Sequence, residues 1–64
     1  MNIELYPLER IVINGVPICF GMDQSAVEAV IGKGQLVRRR HYYFGNEMAV
    51  DYSEGGTVEF IEII

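Results

Sequence analysis

The chain is poor in the residues that staple small folds. Among its 64 residues there is one cysteine, Cys19, one histidine, His41, and no tryptophan. A single cysteine excludes an internal disulfide, and one cysteine with one histidine is too few for a closed four-ligand zinc site. Apolar runs end within about five residues, far short of the ~20 needed to cross a bilayer as a helix. Glu4 and Glu9 stand where the apolar stretch of a secretory leader would lie, so no leader is expected and a cytoplasmic location is. Basic residues are few: five against nine acids, for a net charge of −4 and a pI near 4.7. From Glu47 onward there are five acids (Glu47, Asp51, Glu54, Glu59, Glu62) and no base. Such a balance repels nucleic acid and anionic membranes, so neither is expected as a partner.

What is present is apolar residues, at 50%. That excludes intrinsic disorder, which needs low hydrophobicity with high charge. The length allows a single small domain, residues 1–64, with no repeat or linker. A domain of this size buries only about 60% of its unfolded surface. With no disulfide or metal to help, good packing or self-association must hold it, and the composition leans toward self-association as a homodimer.

Turn signals divide the chain. Residues 1–8 give a short apolar lead that Pro7 should end, with strand and loose arm both open for Ile3 and Leu5. Asn14-Gly15 is a strong type I′ hairpin signal because both loop positions need φ > 0. It joins ERIVI (9–13) to VPICF (16–20), pairing Ile13 with Val16 and Ile11 with Ile18. Pro17 then makes 16–20 an edge strand. One short helix follows, N-capped by Asp23, stapled by Met22 onto Val27 and stopped at Gly32, with Val27, Val30 and Ile31 on its apolar face. Alone it would not hold, so it must pack on a sheet.

After Lys33-Gly34 the period becomes two. Residues 35–44 and 47–52 flank Gly45-Asn46, pairing Tyr43 with Met48, His41 with Val50, Arg39 with Tyr52, Tyr42 with Ala49 and Arg40 with Asp51. Ser53-Glu54-Gly55-Gly56 turns the chain into a last strand, 57–64, with Val58 beside Tyr52 and Phe60 beside Val50. The expected class is α+β: an N-terminal β-hairpin, one short helix, then a three-stranded antiparallel meander.

This register places Val37, Tyr43, Met48, Val50, Tyr52, Val58 and Phe60 on one face, under the helix. The other face carries Leu36, Arg38, Arg40, Tyr42, Phe44, Ala49, Ile61 and Ile63. Arginine mixed with aromatic and branched residues is a composition enriched at protein interfaces. The candidate interface is therefore Arg38, Arg40, Tyr42, Phe44, Ile61 and Ile63. The alternative is that Ile11, Ile13 and Ile18 of the first hairpin close this face.

Few residues invite chemistry. Strand alternation sends Arg38 and Arg40 one way and Arg39 and His41 the other, so the arginine run is not one patch. A small-anion site built from Arg38 or Arg40 with Tyr42 is the main alternative function. His41 is expected beside Val50, without a carboxylate to orient it as a base. Cys19, in an apolar strand, reads as a buried thiol in a reducing compartment; cross-pairing with a second Cys19 is the less favoured option. Gly32-Lys33-Gly34 follows a helix instead of opening one, so it is not a phosphate loop. No catalytic, cofactor-binding or metal-binding residue is assigned, and an enzyme is not expected.

The stretch GMDQSAVEAVIGKG (21–34), followed by HYYF and DYSEGGTVEFIEI, resembles one unit of the bacterial SmpA/OmlA-type module and of β-lactamase-inhibitor-like repeats, over about residues 21–63. The resemblance implies a short helix on an antiparallel sheet and a non-enzymatic role in protein–protein contact, an immunity-type or inhibitor-type role included. Gly34 stands where that pattern often has proline. Envelope members of that family carry a leader and a lipidated cysteine, whereas Cys19 lies in an expected strand, so no outer-membrane role is carried over. Inhibitor-like relatives often hold two units in tandem, so a dimer of this single unit would match them. No functional residue transfers, because the matched positions are caps, turns and core.

Overall fold

The lead segment is a strand. In the computed structural model, which describes residues 2–6 and 10–64, β1 (Ile3–Tyr6) pairs antiparallel with β2 (Arg10–Ile13), Ile3 opposite Ile13 and Leu5 opposite Ile11. The expected break at Pro7 and the start of the second strand at Glu9 lie outside the described residues. Asn14 and Gly15 both adopt positive φ, 51° and 82°, as a type I′ loop demands. They lead into β3 (Val16–Cys19), paired as expected with Ile13 opposite Val16 and Ile11 opposite Ile18. Asn14 Oδ1 also accepts the Asn2 N–H at 2.9 Å, tying the lead to the loop. The expected hairpin is thus a three-stranded sheet, β1-β2-β3, with Pro17 on its edge strand.

Helix α1 (Gln24–Ile31) starts and stops where expected. Gly32, at φ 88°, ends it and donates its N–H to the Glu28 carbonyl. Asp23 takes the extended N-cap conformation, but its side chain makes no capping hydrogen bond. The Gln24 N–H instead donates to the Gly56 carbonyl at 2.8 Å. Neighbouring bonds, Gly21 N–H to Val58 O and Val58 N–H to Met22 O, lace this segment to the C-terminal strand. Val27 is fully buried and Ile31 partly so, whereas Val30 is exposed, so the apolar stripe is narrower than its spacing implied.

The strand expected over 35–44 is broken in two. Arg38, at φ 61°, turns the chain back, so β4 (Gln35–Val37) pairs with β5 (Arg40–Tyr43), Val37 opposite Arg40 and Gln35 opposite Tyr42. Arg38 and Arg39 form the tip, and Arg39 does not pair with Tyr52. From β5 to β6 (Met48–Tyr52) the expected register holds: Tyr43 with Met48, Tyr42 with Ala49, His41 with Val50. Phe44 leaves the strand at φ 56° and joins the loop with Gly45 and Asn46. The next turn closes through the Gly56 N–H to Ser53 O bond, with Gly56 at φ 82°. β7 (Val58–Ile63) places Val58 opposite Tyr52, as expected, but a register shift between Asp51 and Tyr52 then sets Phe60 opposite Asp51 and Ile61 opposite Val50. The second sheet has four strands, β4-β5-β6-β7, not three.

The two sheets and the helix share one core: Ile11, Ile13 and Ile18 from the first sheet, Val27 from α1, and Tyr43, Met48, Val50 and Val58 from the second. The first hairpin therefore packs on the same face as the helix and does not close the other. The architecture is α+β and mostly strand. The chain exposes 4316 Å², close to the ~4,200 Å² that size scaling gives a compact monomer of this mass. Its core closes within one chain, so any partner would meet a finished surface.

Candidate contact face and the polar cluster at the helix

Residues opposite one another in an antiparallel sheet share a face. On the outer face of the second sheet two rows run across all four strands. One is Val37, Arg40, Asp51, Phe60; the other is Gln35, Tyr42, Ala49, Glu62. Arg40 stands at the centre. Its Nε and Nη2 donate to the two Asp51 carboxylate oxygens, each at 3.1 Å, and Nη1 donates to Glu62. Its guanidinium also lies 5.9 Å from the Phe60 ring centroid. Both carboxylates hold Arg40 firmly protonated, above its ordinary range. Val37 and Phe60 flank this charged centre at 47% and 50% exposure, while Ala49 is fully buried between its larger neighbours.

Of the six candidate interface residues, only Arg40 and Tyr42 lie on this face. Arg38 is at a hairpin tip. Phe44 has turned out of the strand and, with Ile61, packs against the core. Ile63 shares the inner side with Met48. Val37 and Phe60, expected in the core, point outward instead. Three local events explain every exchange: the Arg38 turn, the left-handed Phe44 and the bulge near Asp51–Tyr52 each shift side-chain parity by one. Asp51, as the partner of Arg40, was visible in the sequence; Glu62 was not, because its side depends on the bulge.

The second arrangement joins α1 to the sheet. Glu28 Oε2 accepts from Tyr43 Oη at 2.9 Å, from the Gly34 N–H at 3.3 Å and from Gln24 Nε2 at 3.3 Å. Tyr43 and Tyr52 hydroxyls lie 2.6 Å apart. Tyr43 has one proton and gives it to the carboxylate, so Tyr52 is the donor to Tyr43. Gln24 Nε2 also lies 3.2 Å from His41 Nε2. An amide nitrogen only donates, so His41 accepts through Nε2 and carries its proton on Nδ1. That Nδ1 is buried with no hydrogen-bond partner among the described residues. The His41 ring stands edge-on to Tyr52, centroids 5.1 Å apart.

This cluster has a consistent electrostatic sense. Burial pushes the Glu28 carboxyl up, but the bonds from Tyr43, Gly34 and Gln24 outweigh it and leave it below its ordinary value. Burial, then the bonds to Tyr52 and Glu28, hold the Tyr43 hydroxyl far above the tyrosine range. Burial raises Tyr52 as well, against the opposing effect of its Tyr43 bond. A carboxylate made more acidic and a phenol made less acidic are poor proton carriers at neutral pH; what they make is a clasp between helix and sheet. Reading His41 from its strand partner alone missed this, because Gln24 and Glu28 approach from the helix. Their i, i+4 spacing was the available sign.

Cys19 is partly exposed, not buried. Among the described residues no group of three or more His, Cys, Asp and Glu side chains is placed to hold a metal ion, and no helix is long and apolar enough to cross a membrane. The chain matches no family model, and no curated protein and no solved structure is significantly similar to it.

Proposed function

We propose that this chain is a small non-enzymatic bacterial protein that works by protein–protein contact and self-associates through the outer face of its four-stranded sheet. The observation that carries this reading is the half-exposed pair Val37 and Phe60 flanking a centre whose charges already satisfy one another. Such a face gains from covering its apolar flanks, and its arginine, already paired, costs less to cover than an unpaired charge would. Arginine, tyrosine and phenylalanine together are the residues enriched where proteins meet. The likeness of residues 21–63 to a single SmpA/OmlA-type or inhibitor-like unit supports the same reading. A partly exposed free thiol suits a reducing compartment, which favours the cytoplasm. The anion-site alternative is weakened because Asp51 and Glu62, both bonded to Arg40, leave its surroundings net negative.

The test is absolute mass by sedimentation or light scattering across a dilution series. A dimer at high concentration that weakens with Phe60→Ser or Tyr42→Ala, with circular dichroism unchanged, is the expected result. A mass of one chain at every concentration would overturn it.

A further inference from the structure

The outer face is self-complementary about one particular axis. We infer that a second copy of this chain docks on it around a two-fold axis parallel to the strands and passing between β5 and β6; this rests on the self-association proposed above. A two-fold interface sets residue i against j and j against i. With this axis, β4 lies over β7 of the second copy and β5 over β6. The first row then places Val37 against Phe60 and Arg40 against Asp51. The second places Gln35 against Glu62, and Tyr42 over the position of Ala49, which its own neighbours already cover. The exposed positions meet chemical counterparts: apolar on apolar, cation on anion, amide on carboxylate. The Arg40–Asp51 pairs of the two copies close into a ring of alternating charge.

The competing two-fold axis, in the same plane but across the strands, exchanges the rows. It sets Glu62 against Phe60, burying a carboxylate on an apolar ring, which is costly. Stacked sheets cross at about 30°, so the match is best at the two central strands, where Arg40 and Asp51 sit. Four strands about 4.8 Å apart and five residues of about 3.4 Å give a footprint of roughly 320 Å² in projection. That places the contact among weak, reversible interfaces.

Charge exchange tests the register. Arg40→Glu sets acid against acid in its own homodimer, and Asp51→Arg sets base against base. Each alone should lower self-association about tenfold or more, and an equimolar mixture should recover a one-to-one dimer. In that mixed dimer the introduced carboxylate at position 40 meets the introduced guanidinium at position 51. The native Asp51 of the first variant likewise meets the native Arg40 of the second. The native chain and these variants would be followed by sedimentation from about 10 μM to about 1 mM. If either charge variant fails to fold, Val37→Lys mixed with Phe60→Glu applies the same logic at half-exposed positions. A native dimer that tolerates both single exchanges, or a mixture that stays monomeric, overturns this register and leaves self-association standing. A native chain that is monomeric throughout removes both.

Discussion

Tyr43→Phe is the sharpest single perturbation of the clasp between α1 and the second sheet. The ring stays in the core, where Tyr43 is 2% exposed; only the hydroxyl goes. With it go the bond to Glu28 and the acceptor for Tyr52. A hydrogen bond to a charged group contributes about 1.5–3 kcal/mol, and Glu28 is only partly buried, so the low end applies. Tyr52 is only partly buried, so losing its acceptor adds less than a fully buried orphan hydroxyl would. The expected cost is about 1.5 kcal/mol. For 64 residues the unfolding entropy is about 0.13 kcal/mol/K, so the midpoint should fall about 10 °C. Urea and thermal unfolding followed by circular dichroism measure both. Glu28→Gln and the double variant complete a cycle, whose coupling should be about 1 kcal/mol. Additive single effects, or a Tyr43→Phe loss under about 0.3 kcal/mol, would refute the clasp.

Other substitutions probe neighbouring features. A Cβ on Gly34 would lie 2.8 Å from the Tyr43 ring and 3.0 Å from the Tyr42 carbonyl. Backbone cannot yield there, so Gly34→Ala should cost about 1–3 kcal/mol in urea unfolding, and an unchanged midpoint would refute the contact. Arg38 holds a left-handed turn position with a side chain, so Arg38→Gly should stabilise by about 0.5–1 kcal/mol; destabilisation would mean the arginine side chain outweighs the strain. Met48 is fully buried, and Met48→Ala should cost about 2–4 kcal/mol in the same assay. Stability should also depend on pH at both ends. Glu28 is lowered in the folded state, so its contribution is present above the ordinary glutamate range and lost as pH falls through the folded value. Tyr43 is raised, so its contribution is present below the ordinary tyrosine range and lost as pH rises beyond it. Glu28→Gln should flatten the acid limb and Tyr43→Phe the alkaline one; limbs identical to the native profile would refute these assignments.

Much of the local structure was legible. Asn14-Gly15 specified its hairpin and register because two adjacent positive φ angles leave few other sequences and few other loops. Gly32 stopped the helix, and Tyr43 opposite Met48 followed from the turn between them. The lead strand was not legible, since Ile3 and Leu5 carry apolar character but no turn that names a partner. The outer face of the second sheet was legible at Arg40, Tyr42, Ala49 and Asp51, on the two strands whose pairing across the Gly45-Asn46 loop was read correctly.

Composition and turn chemistry by themselves determined the α+β class, the position of the helix, both Asn- and Gly-bearing hairpins and the Arg40–Asp51 pair, because each depends on interactions within a few residues or across one tight turn. Tertiary structure alone decided the rest. It broke 35–44 at Arg38, an arginine in a conformation that glycine favours. It put a bulge opposite Asp51–Tyr52 and so sent Phe60 outward and Ile61 inward. It laid the first sheet beside the helix and left the far face of the second sheet to solvent. In a strand, one inserted residue costs little locally yet turns every later side chain to the opposite face, and only packing against the whole core determines where that residue goes.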